Sequence, residues 1–446
     1  MNKPERISDA ADKAVTPPWP SPASGWLLAS LLALASIVSQ FDRTVINLTV
    51  QPLKAAFGLD DTHFGMLQGL AFGLFYVTAC VPLGLMADRY QRRLMIAGGL
   101  FLFSCFAMGS GLAPSFFLLF LTRVGVGVGE ATLTPSGFSM LSDHFPPDRL
   151  GRPIAAFLMS APFGQGLAFI LGGSLLQWLA TSSILTEGPM AGLQPYQAAF
   201  IIVGAPGLLL VPLFLLLREP KRRGARAVPM PFREVVGIVR SRSAALVPML
   251  AGFSMVTLVV YAIFIWAPAM FQRSYGWNPA QVGLGFGLIL MTCGMSGAFF
   301  SGWMIDRLTR KGYVDAPLLV AGYGFVGCGC FGAAAALMPS APLALAFFAP
   351  AIFLSNMPFA CAATAIQLIV PNQARAQVSA LYITLTTLVG LTIGPMVIGL
   401  MTDHLFRNPA DVRYSLAIIV GVPAPIMFTL MMIARRPYRA LRAAFG

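Results

Sequence analysis

The stretch GLMADRYQRR, residues 84–93, follows a long apolar segment, and a second stretch of the same pattern, GWMIDRLTRK, occupies residues 302–311. Both read Gly-x-x-x-Asp-Arg followed by two basic residues, and their aspartates lie 218 positions apart. Arg152 and Arg375 each follow a later apolar segment, and they lie 223 positions apart. Two features repeated at nearly the same offset indicate that the chain consists of two related halves.

The composition around these stretches is that of a membrane protein. The 446 residues are 57% hydrophobic and 11% charged, whereas a soluble domain carries about 25% charged residues. A helix needs about 20 apolar residues to cross the hydrocarbon of a bilayer. Windows of that length predict twelve spans. They lie near 24–50, 62–87, 93–112, 115–142, 153–179 and 196–217, and near 244–272, 279–304, 316–337, 342–370, 373–402 and 411–434.

We therefore expect an all-α membrane protein with twelve transmembrane helices in two pseudo-symmetric six-helix bundles. The predicted organisation is a tail at 1–23, a bundle at 24–217, a basic linker at 218–243, a bundle at 244–434 and a tail at 435–446. The later part of the linker, 232–240, predicts either a short basic amphipathic helix on the inner leaflet or a solvated tether.

The basic residues predict the orientation. The segments on one side of the predicted spans hold 24 of the 30 lysines and arginines. Because cytoplasmic loops are enriched in these residues, both termini are expected in the cytoplasm. We expect a multi-pass protein of the bacterial inner (cytoplasmic) membrane.

Several other functions are disfavoured. The net charge of +13 lies in loops on one side of the membrane, which argues against nucleic-acid binding. The six cysteines fall in apolar spans and the three histidines in separate loops, so we expect no metal site. No phosphate-cradling loop, nucleophile–base pair or ATP motif is present, so we expect neither an enzyme nor a cofactor, and we expect the proton gradient to supply the energy. A channel would need a ring of like charges or a filter loop.

Four charged residues lie within predicted spans and away from the span ends, namely Asp42 and Arg43 in the first span and Arg123 and Glu130 in the fourth. A charge at this depth is a functional hypothesis by default. At 1.5 Å per residue, Asp42 and Arg123 both lie about 12 Å from the outer boundary, so they can form a pair if the helices face each other. Arg123 and Glu130 are two turns apart on one helix face.

This arrangement suggests proton coupling. A neighbouring arginine lowers the proton affinity of a carboxylate, and its departure raises that affinity. Arginine itself stays charged. We therefore predict Asp42 and Glu130 as proton-coupling residues and Arg43 and Arg123 as their charge-switch partners. Two alternatives stay open: the pairs are static and fix helix packing, or Arg123 binds an anionic headgroup.

The remaining cavity candidates are aromatic or mildly polar, and the second half offers no buried charge. A cavity with one charged wall and one apolar wall suits an amphipathic solute better than a sugar. The predicted substrate-cavity residues are Phe72, Tyr76, Gln165, Tyr261, Asn356, Thr364, Gln367 and Tyr382.

The motif at 84–93 closely resembles the cytoplasmic loop motif of the major facilitator superfamily, with Gln91 where that motif usually has glycine. A narrower resemblance is to the Spinster branch, carried by DRT at 42–44, RVGVGVGEA at 123–131 and DHFPPDRLGR at 143–152. The resemblance implies alternating access, in which two bundles rock about a central cavity. It also implies that Asp88 contacts the start of the eleventh span, near 373–377, where a helix N-terminus stabilises a carboxylate.

The predicted cytoplasmic gate consists of Gly84, Asp88, Arg89, Arg92 and Arg152. The predicted function is proton-coupled secondary active transport of an amphipathic, lipid-like substrate, which the Spinster resemblance narrows to a lysophospholipid or a sphingoid phosphate. The alternatives are a transporter of a polar organic anion, a drug exporter and, less favoured, a receptor or channel. The expected partners are membrane lipid, the substrate and protons, and the superfamily default is a monomer.

Overall fold

The computed structural model describes residues 19–87, 89–146, 148–222 and 231–445. Within these ranges the chain is helical, with no strand. Most of the predicted N-terminal tail, Asp88 and the middle of the linker lie outside them.

Among the described residues, twelve helices are long and apolar enough to cross a membrane, so the expected all-α fold with twelve spans is confirmed. Their ends lie within a few residues of those predicted, except that the last helix continues to Ala443. Spans 1–6 are Pro22–Leu48, Asp61–Ala87, Arg92–Gly111, Phe116–His144, Gly151–Thr181 and Pro195–Leu216. Spans 7–12 are Ser243–Tyr275, Pro279–Arg310, Ala316–Leu337, Ala341–Ile369, Gln373–Phe406 and Pro409–Ala443.

Local sequence sets where the spans begin. Ser21 caps span 1 by accepting a hydrogen bond from the backbone N–H of Ser24, and Pro22 occupies the first turn, where it has no hydrogen bond to lose. Asp60 caps span 2 in the same way through His63. Burial opposes ionisation of Asp60, but the hydrogen bonds from the His63 backbone and ring hold the Asp60 pKa below its usual value.

The spans form two six-helix bundles with equivalent internal packing. Span 3 packs against spans 4 and 6, and span 9 packs against spans 10 and 12. Span 1 contacts span 6, as span 7 contacts span 12. These equivalent contacts are the structural form of the repeat in the sequence.

We call the side of the molecule on which span 1 begins and span 12 ends the inner side, and the opposite side the outer side. Between the bundles, span 5 packs against span 8, and the outer parts of spans 2 and 11 pack against each other. The inner part of span 2 packs against span 4, and the inner part of span 11 packs against spans 7 and 10, each within its own bundle. The two bundles therefore close against each other on the outer side.

Spans 2 and 11 contain π-helical segments where they meet, Leu67–Leu74 and Leu388–Ile393. A Cβ atom on Gly69 would lie 2.3 Å from the carbonyl oxygen of Thr392, so only glycine allows the two backbones to approach this closely. Such π segments frequently occur at functional sites because they displace the helical register locally.

The linker contains a helix, Phe232–Ser241, which contacts spans 7 and 11. Val235 on its apolar face is buried, while Arg233 and Arg240 are exposed. The amphipathic helix is therefore the form that the described part of the linker takes. Its contact with the inner leaflet stays a prediction.

Candidate functional site

The four charges inside spans 1 and 4 form two crossed ion pairs. The Asp42 Oδ2 atom lies 2.7 Å from Nη1 of Arg123. The Arg43 guanidinium binds Glu130 through two nitrogens, with Nη2 2.7 Å from Oε1 and Nε 3.0 Å from Oε2. Adjacent residues of a helix point about 100° apart, so neighbours on span 1 reach two residues on span 4. The acid of each helix thus meets the base of the other.

The pair of Asp42 and Arg123 is enclosed within the first bundle. The two side chains are only 1% and 2% exposed. Arg123 also donates to the Ser110 hydroxyl, with Nε at 3.1 Å, and its guanidinium lies 4.9 Å from the centre of the Phe200 ring. The second oxygen of Asp42, Oδ1, has no hydrogen-bond partner among the described residues. Arg123 of this pair therefore contacts spans 3 and 6.

The pair of Arg43 and Glu130 is more accessible, with side chains 19% and 9% exposed. Ser39 donates a hydrogen bond to Glu130. The Arg43 guanidinium lies 4.3 Å from the centre of the Phe72 ring and 5.2 Å from that of Tyr76, so it stacks on the aromatic wall of span 2. Two predicted cavity residues, Phe72 and Tyr76, therefore lie beside this pair.

The other predicted cavity residues are not all brought together. Gln165 and Asn356 line one small cavity of about 40 Å³ between span 5 and the second bundle, together with Phe264 and Phe286. Tyr261 packs against the apolar cluster that contains Phe72. The remaining three residues each lie in a different environment. Tyr382 packs edge to face on Phe253, the Thr364 hydroxyl donates to the Ala360 carbonyl, and Gln367 is exposed.

Of the predicted gate residues, Arg92 has a different environment from the others. It is 1% exposed, it binds Asp143 at the end of span 4, and its Nε lies 2.8 Å from Glu219 after span 6. Arg92 thus ties together three helix ends of the first bundle. Arg89 and Arg152 are exposed, and Gly84 faces Pro135 of span 4. The predicted contact of Asp88 lies outside the described residues.

The second bundle has an equivalent cluster of ion pairs, in which the central residue is an acid and its partners are bases. Asp315, just before span 9, is fully buried and pairs with Arg435 and with Arg439, whose Nη2 lies 3.0 Å away. Burial raises the pKa of Asp315, but hydrogen bonds from the two arginines hold it below its ordinary value. The expectation that the second half has no buried charge is therefore wrong for Asp315, because the end of span 12 neutralises it.

Sequence reasoning did not single out the other charged groups of the outer side. Asp61 is fully buried and binds Lys54 and Arg273, and Asp403 binds the start of span 2. Each lies at the end of a span and resembles an ordinary solvated charge in the sequence. Within the described ranges, no three His, Cys, Asp or Glu residues are grouped to hold a metal ion.

Replacing Asp88 by asparagine is expected to slow transport several-fold without reducing expression, because a neutral amide binds a helix N-terminus less strongly than a carboxylate does. The measurement is initial uptake by proteoliposomes at matched protein content. Asp306→Asn, the same change in the exposed second copy of the motif, is the matched control and should leave the rate nearly unchanged. Normal transport in Asp88→Asn would contradict the predicted contact of Asp88 with the start of span 11.

Comparison with known proteins identifies the family. The family model described as Major Facilitator Superfamily matches residues 32–395. An MFS-type efflux pump of Mycolicibacterium smegmatis is 27% identical over 416 residues, covering 90% of each chain. Human protein spinster homolog 1 is 28% identical over 412 residues, covering 87% of this chain and 75% of that protein.

A solved structure has the same fold. It is the crystal structure of a bacterial homolog to the human lysosomal transporter Spinster, in an inward-facing and unoccupied conformation. It superposes with a TM-score of 0.76 at 23% identity, covering 96% of this chain and 98% of that one. The chain therefore belongs to the major facilitator superfamily, and it is similar to Spinster proteins in sequence and in fold. The predicted family is confirmed, and this family and fold are those of transporters, which are not enzymes.

Proposed function

We propose that this protein is a proton-coupled secondary active transporter of an amphipathic, lipid-like solute, of the lysophospholipid or sphingoid-phosphate type. Alternating access follows from the family. Proton coupling and the amphipathic solute are proposed from one observation. The ion pair of Arg43 and Glu130 is partly exposed beside the aromatic side chains of Phe72 and Tyr76.

Glu130 is the group that we assign to proton exchange. In this conformation it accepts hydrogen bonds from Ser39 and Arg43. Separation from Arg43 removes the nearest positive charge and makes proton uptake favourable. A proton would then bind Glu130 in one conformation and leave it in the other, which is the requirement for coupling.

Arg43 is the group that we assign to the anionic head of the solute. A phosphate that approaches Arg43 competes with Glu130 for the same guanidinium nitrogens, because both anions form bidentate contacts with arginine. Binding of the solute then displaces Glu130 and favours its protonation. The apolar tail would lie along the aromatic wall, where Phe72 and Tyr76 stack on each other with ring centres 5.7 Å apart.

Asp42 is a second proton-coupling candidate, with Arg123 as its partner. Since this pair is enclosed, Asp42 exchanges a proton only in a conformation that separates it from Arg123. The Oδ1 atom, which has no partner among the described residues, is the oxygen that would take the proton. We further propose that the protein lies in the bacterial inner membrane with both termini in the cytoplasm, in accordance with its positive charges.

A second candidate function is export of a drug or transport of a polar organic anion. The similarity to an efflux pump supports export, and a guanidinium next to aromatic rings also suits an aromatic anion. The proton-coupling residues would be the same. Only the solute differs between the two proposals.

The experiment is counterflow in proteoliposomes that contain the purified protein. Vesicles are loaded with a lysophospholipid, with sphingosine phosphate or with an aromatic organic anion, and entry of the labelled form is followed with and without a pH gradient. We expect saturable counterflow of one of the two lipids, and accumulation only with the gradient. Transport of the organic anion alone would favour the second candidate, and a flux that does not saturate would exclude a carrier.

A further inference from the structure

The inner end of span 12 carries a concentration of positive charge that the transport site does not use. Four arginines lie within residues 435–442, and the chain after Asp411 contains no acidic residue. Span 12 continues to Ala443, so these arginines project from a regular helix. Arg435, Arg439 and Arg442 lie four and then three residues apart, which places them on one face of that helix. We call these three residues the arginine cluster.

The arginine cluster has one acidic neighbour among the described residues. Asp315, just before span 9, is fully buried, and its Oδ2 atom pairs with both Arg435 and Arg439. Its other oxygen, Oδ1, has no hydrogen-bond partner there. The Arg439 side chain is nevertheless 51% exposed. One negative charge beside three positive charges leaves an excess of positive charge at this helix end.

This excess is not shared by the equivalent cluster of the first bundle. There two acids, Asp143 and Glu219, bind a single arginine, Arg92. The two bundles are built on a repeated pattern, yet the balance of charge at their inner helix ends is opposite. The difference indicates that the second bundle binds an anion at this position and the first does not.

Several donors of this region lack a strong acceptor. The Nε atom of Arg442 and the hydroxyl of Tyr438 are buried without a hydrogen-bond partner among the described residues. Nη1 of Arg435 donates to the sulfur of Met432 at 3.4 Å, which is a weak acceptor. Tyr438 is close enough to Arg442 and Asp315 to interact with both electrostatically. A buried donor without a partner is unfavourable, and an anion with several oxygens removes that cost.

The surface beside the arginine cluster is apolar and aromatic. Spans 9 and 12 pack against each other, and the rings of Tyr323 and Phe428 meet there with centres 5.7 Å apart. Tyr323 follows Asp315 by eight residues, so this contact lies about 12 Å deeper in the membrane than the charged residues. Tyr323 and Ile433 are 65% and 57% exposed. A charged site above an exposed apolar surface matches the headgroup and acyl chains of a phospholipid.

We propose that the arginine cluster binds the phosphate of an anionic phospholipid from the leaflet on the inner side. Basic pockets between transmembrane helices bind such headgroups, and arginine forms bidentate contacts with phosphate oxygens. The acyl chains lie along Tyr323 and Ile433. The site belongs to the second bundle, whereas Arg43, which we assign to the solute, lies in the first. The bound lipid is therefore not the transported solute, and the inference holds whichever solute is carried.

The test is the binding of defined lipids to the purified full-length protein in detergent, measured by native mass spectrometry. Diacyl phosphatidylglycerol is compared with phosphatidylcholine of the same acyl chains, which has no net charge. We expect the first phosphatidylglycerol to bind about tenfold more tightly, as one charge-assisted contact implies. An equal concentration of inorganic phosphate should not displace it. Equal binding of the two lipids, or displacement by inorganic phosphate, would overturn the lipid site.

Arg442→Gln is expected to weaken phosphatidylglycerol binding about tenfold, because it removes one charge-assisted contact. Arg439→Gln should act in the same direction, and neither variant should change the binding of phosphatidylcholine. Arg436→Gln removes the same charge from an exposed position on another side of the helix, so it is the matched control and should keep the affinity. The ion pairs of Asp315 are with Arg435 and Arg439, so Arg442→Gln keeps the test valid even if Arg439→Gln does not fold.

Unchanged affinity in both Arg442→Gln and Arg439→Gln would overturn the site. An equal loss in Arg436→Gln would also overturn it, since the lipid would then respond to positive charge in general. Loss in Arg43→Gln alone would place the lipid in the transport site and contradict the proposal. The failure of the proposed function is distinguishable, because it would appear as absent counterflow and would leave these binding measurements unaffected.

Discussion

Glu130→Gln is expected to abolish proton-driven accumulation of the solute while counterflow continues. A pH gradient of one unit supplies about 1.4 kcal/mol for each proton moved, which corresponds to about tenfold accumulation. The amide has the shape of the carboxylate and can still accept hydrogen bonds from Ser39 and Arg43, but it cannot take up a proton. The accumulation ratio should therefore fall from about 10 to about 1 for a coupling of one proton per solute. The measurement is the steady-state level of labelled solute in proteoliposomes with an imposed gradient.

Glu187→Gln provides the matched control for this experiment. It makes the same chemical change in an exposed outer loop and should leave accumulation intact. Asp42→Asn, measured alongside, shows whether the enclosed carboxylate contributes to coupling. Accumulation that persists in Glu130→Gln, in Asp42→Asn and in the double variant would show that the coupling residues are wrongly assigned. Loss of counterflow together with accumulation would instead indicate that Glu130 is needed for solute movement itself.

Arg123→Leu is expected to destabilise the folded protein by about 3–5 kcal/mol, the usual effect of removing one partner of a buried ion pair. Asp42 would be left ionised or forced to protonate at a site where its side chain is 1% exposed. Ser110, which donates no more than one hydrogen bond, cannot replace the guanidinium. The measurement is the midpoint of thermal unfolding in detergent, with the fraction of monodisperse protein after purification as a second observation.

The double variant Asp42→Asn with Arg123→Leu separates charge from packing. Replacing both members of a buried pair often costs little, because the unpaired charge is gone. We therefore expect the double variant to recover most of the lost stability. If it also transports normally with a pH gradient, the pair is a static packing element, as the alternative interpretation holds. An Arg123→Leu single variant that melts like the wild type would contradict the burial that the structure shows.

Much of the fold could be predicted because the membrane imposes strong constraints on the sequence. Apolar length predicts the spans, and the repeat at residues 84 and 302 predicts the two bundles. The contact of Asp42 with Arg123 follows from the rise of a helix, since both residues lie at the same depth. The contact of Arg43 with Glu130 did not follow, because it depends on how span 1 is rotated against span 4.

Contacts between segments that are distant in the chain could not be predicted from the sequence, because they depend on how the helices pack. Asp403 and Thr62 are 341 positions apart and meet only because the bundles close on the outer side. Arg92 carries no local sign that Asp143 and Glu219 will enclose it, so the motif alone placed it in the cytoplasmic gate. Asp315 lies just before its span and looked solvated, since its partners follow more than 100 residues later. Each case needs tertiary structure to reveal the partner.

Asp42 and Arg43 are neighbours in the chain, yet each binds a different residue of span 4: Asp42 binds Arg123, and Arg43 binds Glu130. Since a helix backbone is stiff, span 1 cannot turn about its axis for one pair alone. Any twist that withdraws Arg43 from Glu130 also pulls on the contact between Asp42 and Arg123. The contact between Asp42 and Arg123 therefore opposes the separation of Arg43 from Glu130. The strength of that opposition contributes to how often the transporter changes conformation without solute.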